Sequence, residues 1–130
     1  MTKFYAEFGL EVFDNSIINA VIKTMQQLGK LRITNTKVKT VIIDFRTPER
    51  EVISLEEVSN ELCDVIIPFK EQIKDLLFKY KEKIYCDICF VKMSEECDCS
   101  FDINTKIIHL ASYLDVPIIF DGFQWYVKEI

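Results

Sequence analysis

Glycine, proline and histidine are scarce in this chain, and that scarcity excludes several classes of protein. Three glycines and three prolines among 130 residues leave little for flexible linkers, and no glycine-rich phosphate loop is present. The only histidine, His109, has no Ser or Cys nucleophile with a recognisable motif around it. We therefore expect one domain, residues 1–130, that does not hydrolyse nucleotides.

An excess of basic residues is also missing. The formal net charge is −5 and the sequence pI is about 4.9, which disfavours direct nucleic-acid binding and favours a basic protein partner. The opening segment, MTKFYAEFGLEVF, is neither a signal peptide nor a membrane span. We expect a cytosolic (cytoplasmic) protein without membrane association, and the odd number of cysteines, five, argues against a fully paired disulfide framework.

The hydrophobic pattern alternates between strand and helix periods. Strands are expected over residues 3–13, within 31–45 (most clearly 36–45), over 84–91 and 97–103, and from Pro117, with a tight turn at Asp121–Gly122 before a possible hairpin. Helices are expected over 15–28, from 55 to about 81 with an interruption at Pro68, and after a cap at Asn104 or Thr105. The order predicts an α+β fold with a mixed or mostly antiparallel sheet and helices packed on one face.

Four cysteines, Cys86, Cys89, Cys97 and Cys99, have the spacing of a zinc site. However, Cys86 and Cys89 are three residues apart on a strand and should face opposite sides of the sheet. A hairpin with the loop 93–96 would pair Phe90 with Cys99 and make Cys86 and Cys99 buried small hydrophobes. Cys63 should likewise pack within a helix, so we predict no metal and no cofactor, with zinc as the alternative.

Several exposed positions are candidates for contact with a partner. The acidic residues of the cysteine-rich segment should face solvent, and the aromatic residues near position 125 suit either a core or a binding hot spot. The predicted partner-binding residues are Glu95, Glu96, Asp98, Asp102, Trp125 and Tyr126.

A family pattern runs through most of the chain. It comprises an opening strand FYAEFGLEVFD, a short ITNTK segment, a long helical stretch ending FKEQIKDLLFKYKEKIYCDICFVK, and the close FDINTKIIHLASYLDVPIIFDGF. In this order of segments the chain resembles the bacterial domain of unknown function 4279 family. The family has no established catalytic residues, so the resemblance implies none here. The segment KVKTVIIDFRTPEREV departs from the family pattern because it lacks a glycine-containing turn and a tryptophan.

The sequence thus predicts a non-enzymatic protein-binding domain, of the immunity or inhibitor type found in bacteria or phage, that masks a basic partner. The alternative is a small-ligand or metal-binding domain with zinc at the four cysteines. A third possibility is an enzyme whose site is assembled from scattered Asp and Glu residues and His109.

Overall fold

The computed structural model describes residues 2–51, 55–94 and 104–124. Alternation of apolar and polar residues makes Thr2–Val12 an 11-residue strand, which lies in the middle of a six-stranded sheet. In chain order the elements are β1 (Thr2–Val12), α1 (Ile18–Met25), β2 (Leu31–Asn35), β3 (Val41–Arg46), β4 (Arg50–Glu51), α2 (Glu56–Ile66), α3 (Lys70–Lys79), β5 (Ile84–Ser94), α4 (Thr105–Leu114) and β6 (Ile118–Gln124).

The strands lie in the order β2-β3-β1-β5-β6, and β4 pairs with β1 beyond the end of β3. Every pairing is antiparallel except that of β6 with β5, which is parallel. The parallel pair is joined through α4, as expected, because parallel neighbours need a crossover connection. The predicted α+β fold with a mostly antiparallel sheet is confirmed.

One face of the sheet carries the hydrophobic core. Phe8 and Ile88 are neighbours on β1 and β5, and both are fully buried beside apolar residues of the helices such as Leu62 and Ile107. All four helices contribute buried residues to this cluster, which confirms that the helices pack on one face. Burial of this apolar stripe is the main favourable term in the stability of the fold.

Local signals position two helix ends as the sequence predicts, the start of α4 and the end of the first helical stretch. The Asn104 side chain accepts a hydrogen bond from the Ile107 N–H at 3.0 Å, which caps α4. A short 3-10 turn, Gln26–Leu28, continues α1 and ends at Gly29. The φ of Gly29 is 139°, a conformation that residues with side chains disfavour. Before Pro48, Thr47 continues the ladder: its N–H donates to the Ala6 carbonyl and its Oγ1 accepts from the Ala6 N–H, both at 2.9 Å.

Three expectations about strands are wrong. Residues 36–40 form the turn between β2 and β3 instead of a strand, and Lys39 has φ of 66° there. No tight turn occurs at Asp121–Gly122, because β6 continues through both residues while paired with Val91 and Lys92 of β5. The third error concerns the hairpin predicted between β5 and residues 97–103.

The hairpin is wrong because β5 has no free edge where the hairpin needed one. From Ile88 to Ser94, β5 pairs with β1 on one side and with β6 on the other. A strand has two hydrogen-bonding edges, so Phe90 has no edge left for Cys99. Residues 97–103 themselves lie outside the described residues.

Phe8 should be among the most costly residues to truncate, since its ring is fully buried at the centre of the sheet. We expect Phe8→Ala to lower the free energy of unfolding by about 3–5 kcal/mol, the usual range for a buried phenylalanine. Phe78→Ala is the matched control: this ring is 74% exposed, and its loss should change stability by less than about 0.5 kcal/mol. Urea unfolding of both variants measures the difference, and equal losses would contradict the described core.

Candidate functional site: the open face of the sheet

The face of the sheet opposite the core carries most of the charged strand residues. On β1, Tyr5, Glu7, Gly9 and Glu11 point away from the side chains that contact the helices, because successive strand residues face opposite sides. We call this surface the open face. It consists of Lys3, Tyr5, Glu7, Gly9 and Glu11 of β1 and of those residues on the other strands whose side chains point to the same side of the sheet.

Carboxylates outnumber cations on the open face. Because paired residues share a face of the sheet, the strand register identifies its members. In the described strands, six carboxylates and three cations lie there, namely Glu7, Glu11, Asp44, Glu51, Asp87 and Asp121 against Lys3, Arg32 and Arg46. The surface is therefore acidic, like the chain as a whole.

Glu7 and Arg46 form a hydrogen-bonded charge pair on this face. The two residues are opposite each other on β1 and β3, and Arg46 Nε donates to Glu7 Oε1 at 2.9 Å while Arg46 Nη2 donates to the same oxygen. The Arg46 guanidinium also lies 4.3 Å from the centroid of the Tyr5 ring. Charge-assisted hydrogen bonding and the cation–π contact together hold the guanidinium against the sheet.

Arg32 is shared loosely between two carboxylates. Its Nη1 lies 3.8 Å from Glu7 Oε1 and 4.0 Å from Asp44 Oδ2, distances that are too long for hydrogen bonds. The Arg32 side chain is 51% exposed, whereas that of Asp44 is only 10% exposed. Asp44 is therefore a nearly buried carboxylate with a distant, solvated cation.

Burial raises the pKa of Asp44. The nearby charge of Glu7 raises it further, and Arg32 and Arg46 offset only part of the effect. Asp87 is in a similar position, with its pKa raised by burial and by Glu7, while a hydrogen bond with Tyr85 acts in the opposite direction. Both carboxylates are thus less favourable as anions than in water.

Gly9 lies between these two carboxylates. It pairs with Asp44 of β3 on one side and with Asp87 of β5 on the other. Glycine has no side chain, so the sheet backbone is accessible between the two acidic residues. A Cβ atom built on Gly9 would lie 3.4 Å from the Asp44 Cβ, which is ordinary contact. We call the row Asp44–Gly9–Asp87 the acidic notch.

The structure does not describe the predicted partner-binding residues. Glu95, Glu96, Asp98, Asp102, Trp125 and Tyr126 all lie outside the described residues. Their predicted role stays a prediction. His109, the candidate for an enzymatic site, is exposed on α4, away from the open face.

The described cysteines behave as the alternation predicts. Cys86 is buried on the core side of β5, whereas Cys89 lies on the open face beside Glu7, so the two thiols do not converge on one ion. Burial raises the pKa of Cys86, and it raises the pKa of Cys63 and of Cys89 to about 11. Thiols with raised pKa values are poor nucleophiles near neutral pH.

Cys97 and Cys99 lie outside the described residues. Within residues 2–51, 55–94 and 104–124, no three His, Cys, Asp or Glu side chains are placed to hold a metal ion.

Sequence reasoning identified the residues of the open face on single strands but missed the site that they form. The alternation already separates Glu7 and Gly9 from the core side of β1, and Asp87 from the core side of β5. The sequence carries no signal that β3 and β5 both pair with β1 at Gly9. Asp44 was missed because nothing in VIIDF marks a carboxylate that becomes nearly buried.

Comparisons of the chain with protein-family models, with curated proteins and with solved structures give no match. The resemblance to the domain of unknown function 4279 family stays a prediction. None of the described helices has the length and apolar character needed to cross a bilayer.

Asp44 should cost stability when it is ionised. The pKa of Asp44 is raised in the folded state, so the folded protein binds this proton more tightly than the unfolded chain does. The free energy of unfolding therefore falls as the pH rises from the pKa of the unfolded chain through the pKa of the folded protein. We expect Asp44→Asn, which removes the charge, to increase the free energy of unfolding near pH 7. The gain should shrink as the pH falls toward about 4, near the ordinary pKa of aspartate.

Urea unfolding of Asp44→Asn and of wild type across this pH range tests the prediction. Asp75→Asn is the matched control, because it removes the same charge from an exposed position on α3. A loss of stability at pH 7 in Asp44→Asn would show that the contact with Arg32 outweighs the burial of the carboxylate.

Proposed function

We propose that the protein is a non-enzymatic, cytosolic protein-binding domain that receives a basic partner on the open face. The observation that supports this is the acidic notch, where two carboxylates with raised pKa values flank a residue without a side chain. In this proposal the domain has an immunity or inhibitor role and masks a basic surface of a bacterial or phage protein by electrostatic complementarity.

A cation from a partner would improve the electrostatics of the notch. The pKa values of Asp44 and Asp87 are raised because burial and the charge of Glu7 disfavour the ionised carboxylates. An opposite charge within about 4–6 Å stabilises a carboxylate anion and lowers its pKa. A lysine or arginine side chain from a partner therefore gains more from these two groups than from fully solvated carboxylates.

The shape of the notch suits an inserted side chain. At most strand positions the residue's own side chain covers the sheet backbone. Gly9 has no side chain, so the backbone stays uncovered between Asp44 and Asp87. A long basic side chain can lie across the strand there and bring its charged end to both carboxylates. The surrounding carboxylates, such as Glu11 and Asp121, would add to the attraction and speed association.

The test compares two variants with the same change in net charge. Asp44→Asn/Asp87→Asn neutralises the notch, and Glu71→Gln/Asp75→Asn neutralises two exposed carboxylates on α3. Each variant and wild type are immobilised and exposed to lysate of the native host at low salt, and captured proteins are identified by mass spectrometry. We expect wild type and the α3 variant to capture the same basic protein, and the notch variant to lose most of it.

Two further measurements define the result. Binding of the captured protein, once purified, should weaken at least tenfold in the notch variant, because opposite charges are lost from a desolvated site. It should also weaken as salt is raised, since screening shortens the range of the attraction. Equal capture by all three proteins, or capture of acidic proteins alone, would refute the proposal.

Gly9→Ala tests the role of the open position independently of charge. The added methyl group fits beside Asp44, and alanine restricts the unfolded chain more than glycine does, so stability should stay the same or rise by up to about 1 kcal/mol. We expect affinity for the same purified partner to fall, because the methyl group occupies the notch. Unchanged affinity would show that the partner does not enter between the two carboxylates.

A further inference from the structure

A concave site lies at the end of the sheet, away from the acidic notch. It is a cleft of about 440 Å³ between the C-terminal part of α3, the first residues of β5 and the segment that follows α4. Its volume is within the range of about 300–1,000 Å³ that is usual for small-molecule sites. The apolar residues that line it are Leu77, Phe78, Ile84, Leu114, Val116 and Pro117.

The first residues of β5, which form one wall of the cleft, are not paired with β6. β6 pairs with β5 only from Ile88 onward, and the Ile88 N–H donates to the Pro117 carbonyl at 3.1 Å. Backbone groups two residues apart point to the same edge of a strand, so the Cys86 N–H is directed toward the side where β6 is not paired with β5. Cys86 itself lines the cleft and is 8% exposed.

Two lysines make the rim of this cleft basic although the protein is acidic. Lys74 and Lys81 line the cleft together with one carboxylate, Asp115. Aromatic rings orient both ammonium groups: Lys74 Nζ lies 4.2 Å from the centroid of Tyr113, and Lys81 Nζ lies 5.1 Å from that of Phe78. Lys70 Nζ is also close to Tyr113, at 4.6 Å, and adds positive charge nearby.

We infer that this cleft binds a small aliphatic carboxylate. The hydrocarbon part of such a molecule would remove apolar lining, including the 74% exposed ring of Phe78, from water. Its carboxylate would lie at the rim, where Lys74 and Lys81 outnumber Asp115. An ammonium-bearing molecule of the same length would meet two like charges, so the sign of the head group discriminates between ligands. This inference does not depend on the protein partner proposed for the open face.

Three probes with the same alkyl chain test the inference: decanoate, decanol and decylamine, each kept below its aggregation threshold. Their binding to the full chain is measured by titration calorimetry and by ¹⁵N–¹H NMR shifts. We expect decanoate to bind most tightly and decylamine least tightly. The amides that shift should belong to the cleft, including those of Leu77, Cys86 and Val116.

Charge-matched and ring-matched variants locate the binding energy. Lys74→Gln/Lys81→Gln should weaken decanoate binding by about two- to fivefold per lysine, the range for exposed ion pairs, and leave decanol binding unchanged. Lys30→Gln/Lys37→Gln, which removes two exposed lysines elsewhere, should change neither. Phe78→Ala should weaken both probes, whereas Phe13→Ala, at a 55% exposed ring outside the cleft, should not.

Each contrary result overturns the inference. Decylamine binding as tightly as decanoate would show that the lysines do not select the head group. Shifts confined to amides outside the cleft would place the ligand elsewhere. No detectable decanoate binding to the folded wild-type protein would exclude the site.

Discussion

The pairing of β1 on both of its edges is the constraint on which the rest of the structure depends. Antiparallel ladders with β3 and β5 place Phe8 and Leu10 at the centre of the core side and Glu7 and Gly9 at the centre of the open face. A shift of one residue in either ladder would exchange the two faces, moving phenylalanines into water and carboxylates into the core. The same register that makes the core therefore also assembles the acidic notch.

The electrostatics of the open face follow from where its few cations lie. Arg46 is held by Glu7 and by the Tyr5 ring, and Arg32 stays half-exposed between two carboxylates. Neither arginine compensates Asp87, whose pKa reflects burial, Glu7 and Tyr85. Ionised groups kept in an unfavourable setting are a cost to folding, and such costs are commonly associated with surfaces that bind other molecules.

The proposed partner surface and the proposed ligand cleft have opposite charge, which separates their chemistry. The open face is dominated by carboxylates of the central strands, and the rim of the cleft by lysines of the α3 region. The cleft exists because β6 begins to pair only at Ile88, so the first residues of β5 keep one edge free of β6. Each site therefore originates in a feature of sheet topology: the centre of the sheet for one and the end of a short strand for the other.

The sequence alone determined the type and approximate bounds of most elements, because the alternation in β1 and the helical spacing before Gly29 are local patterns. It also determined that Cys86 and Cys89 face opposite sides, since side-chain direction along a strand depends only on spacing. Tertiary structure decided which strands are neighbours: β5 pairs with β1 and β6 rather than with residues 97–103, and β6 runs straight through Asp121–Gly122. It likewise decided that Asp44 and Asp87 flank Gly9. Strand pairing joins residues far apart in the chain, and its free energy comes from the shared core instead of from local propensity.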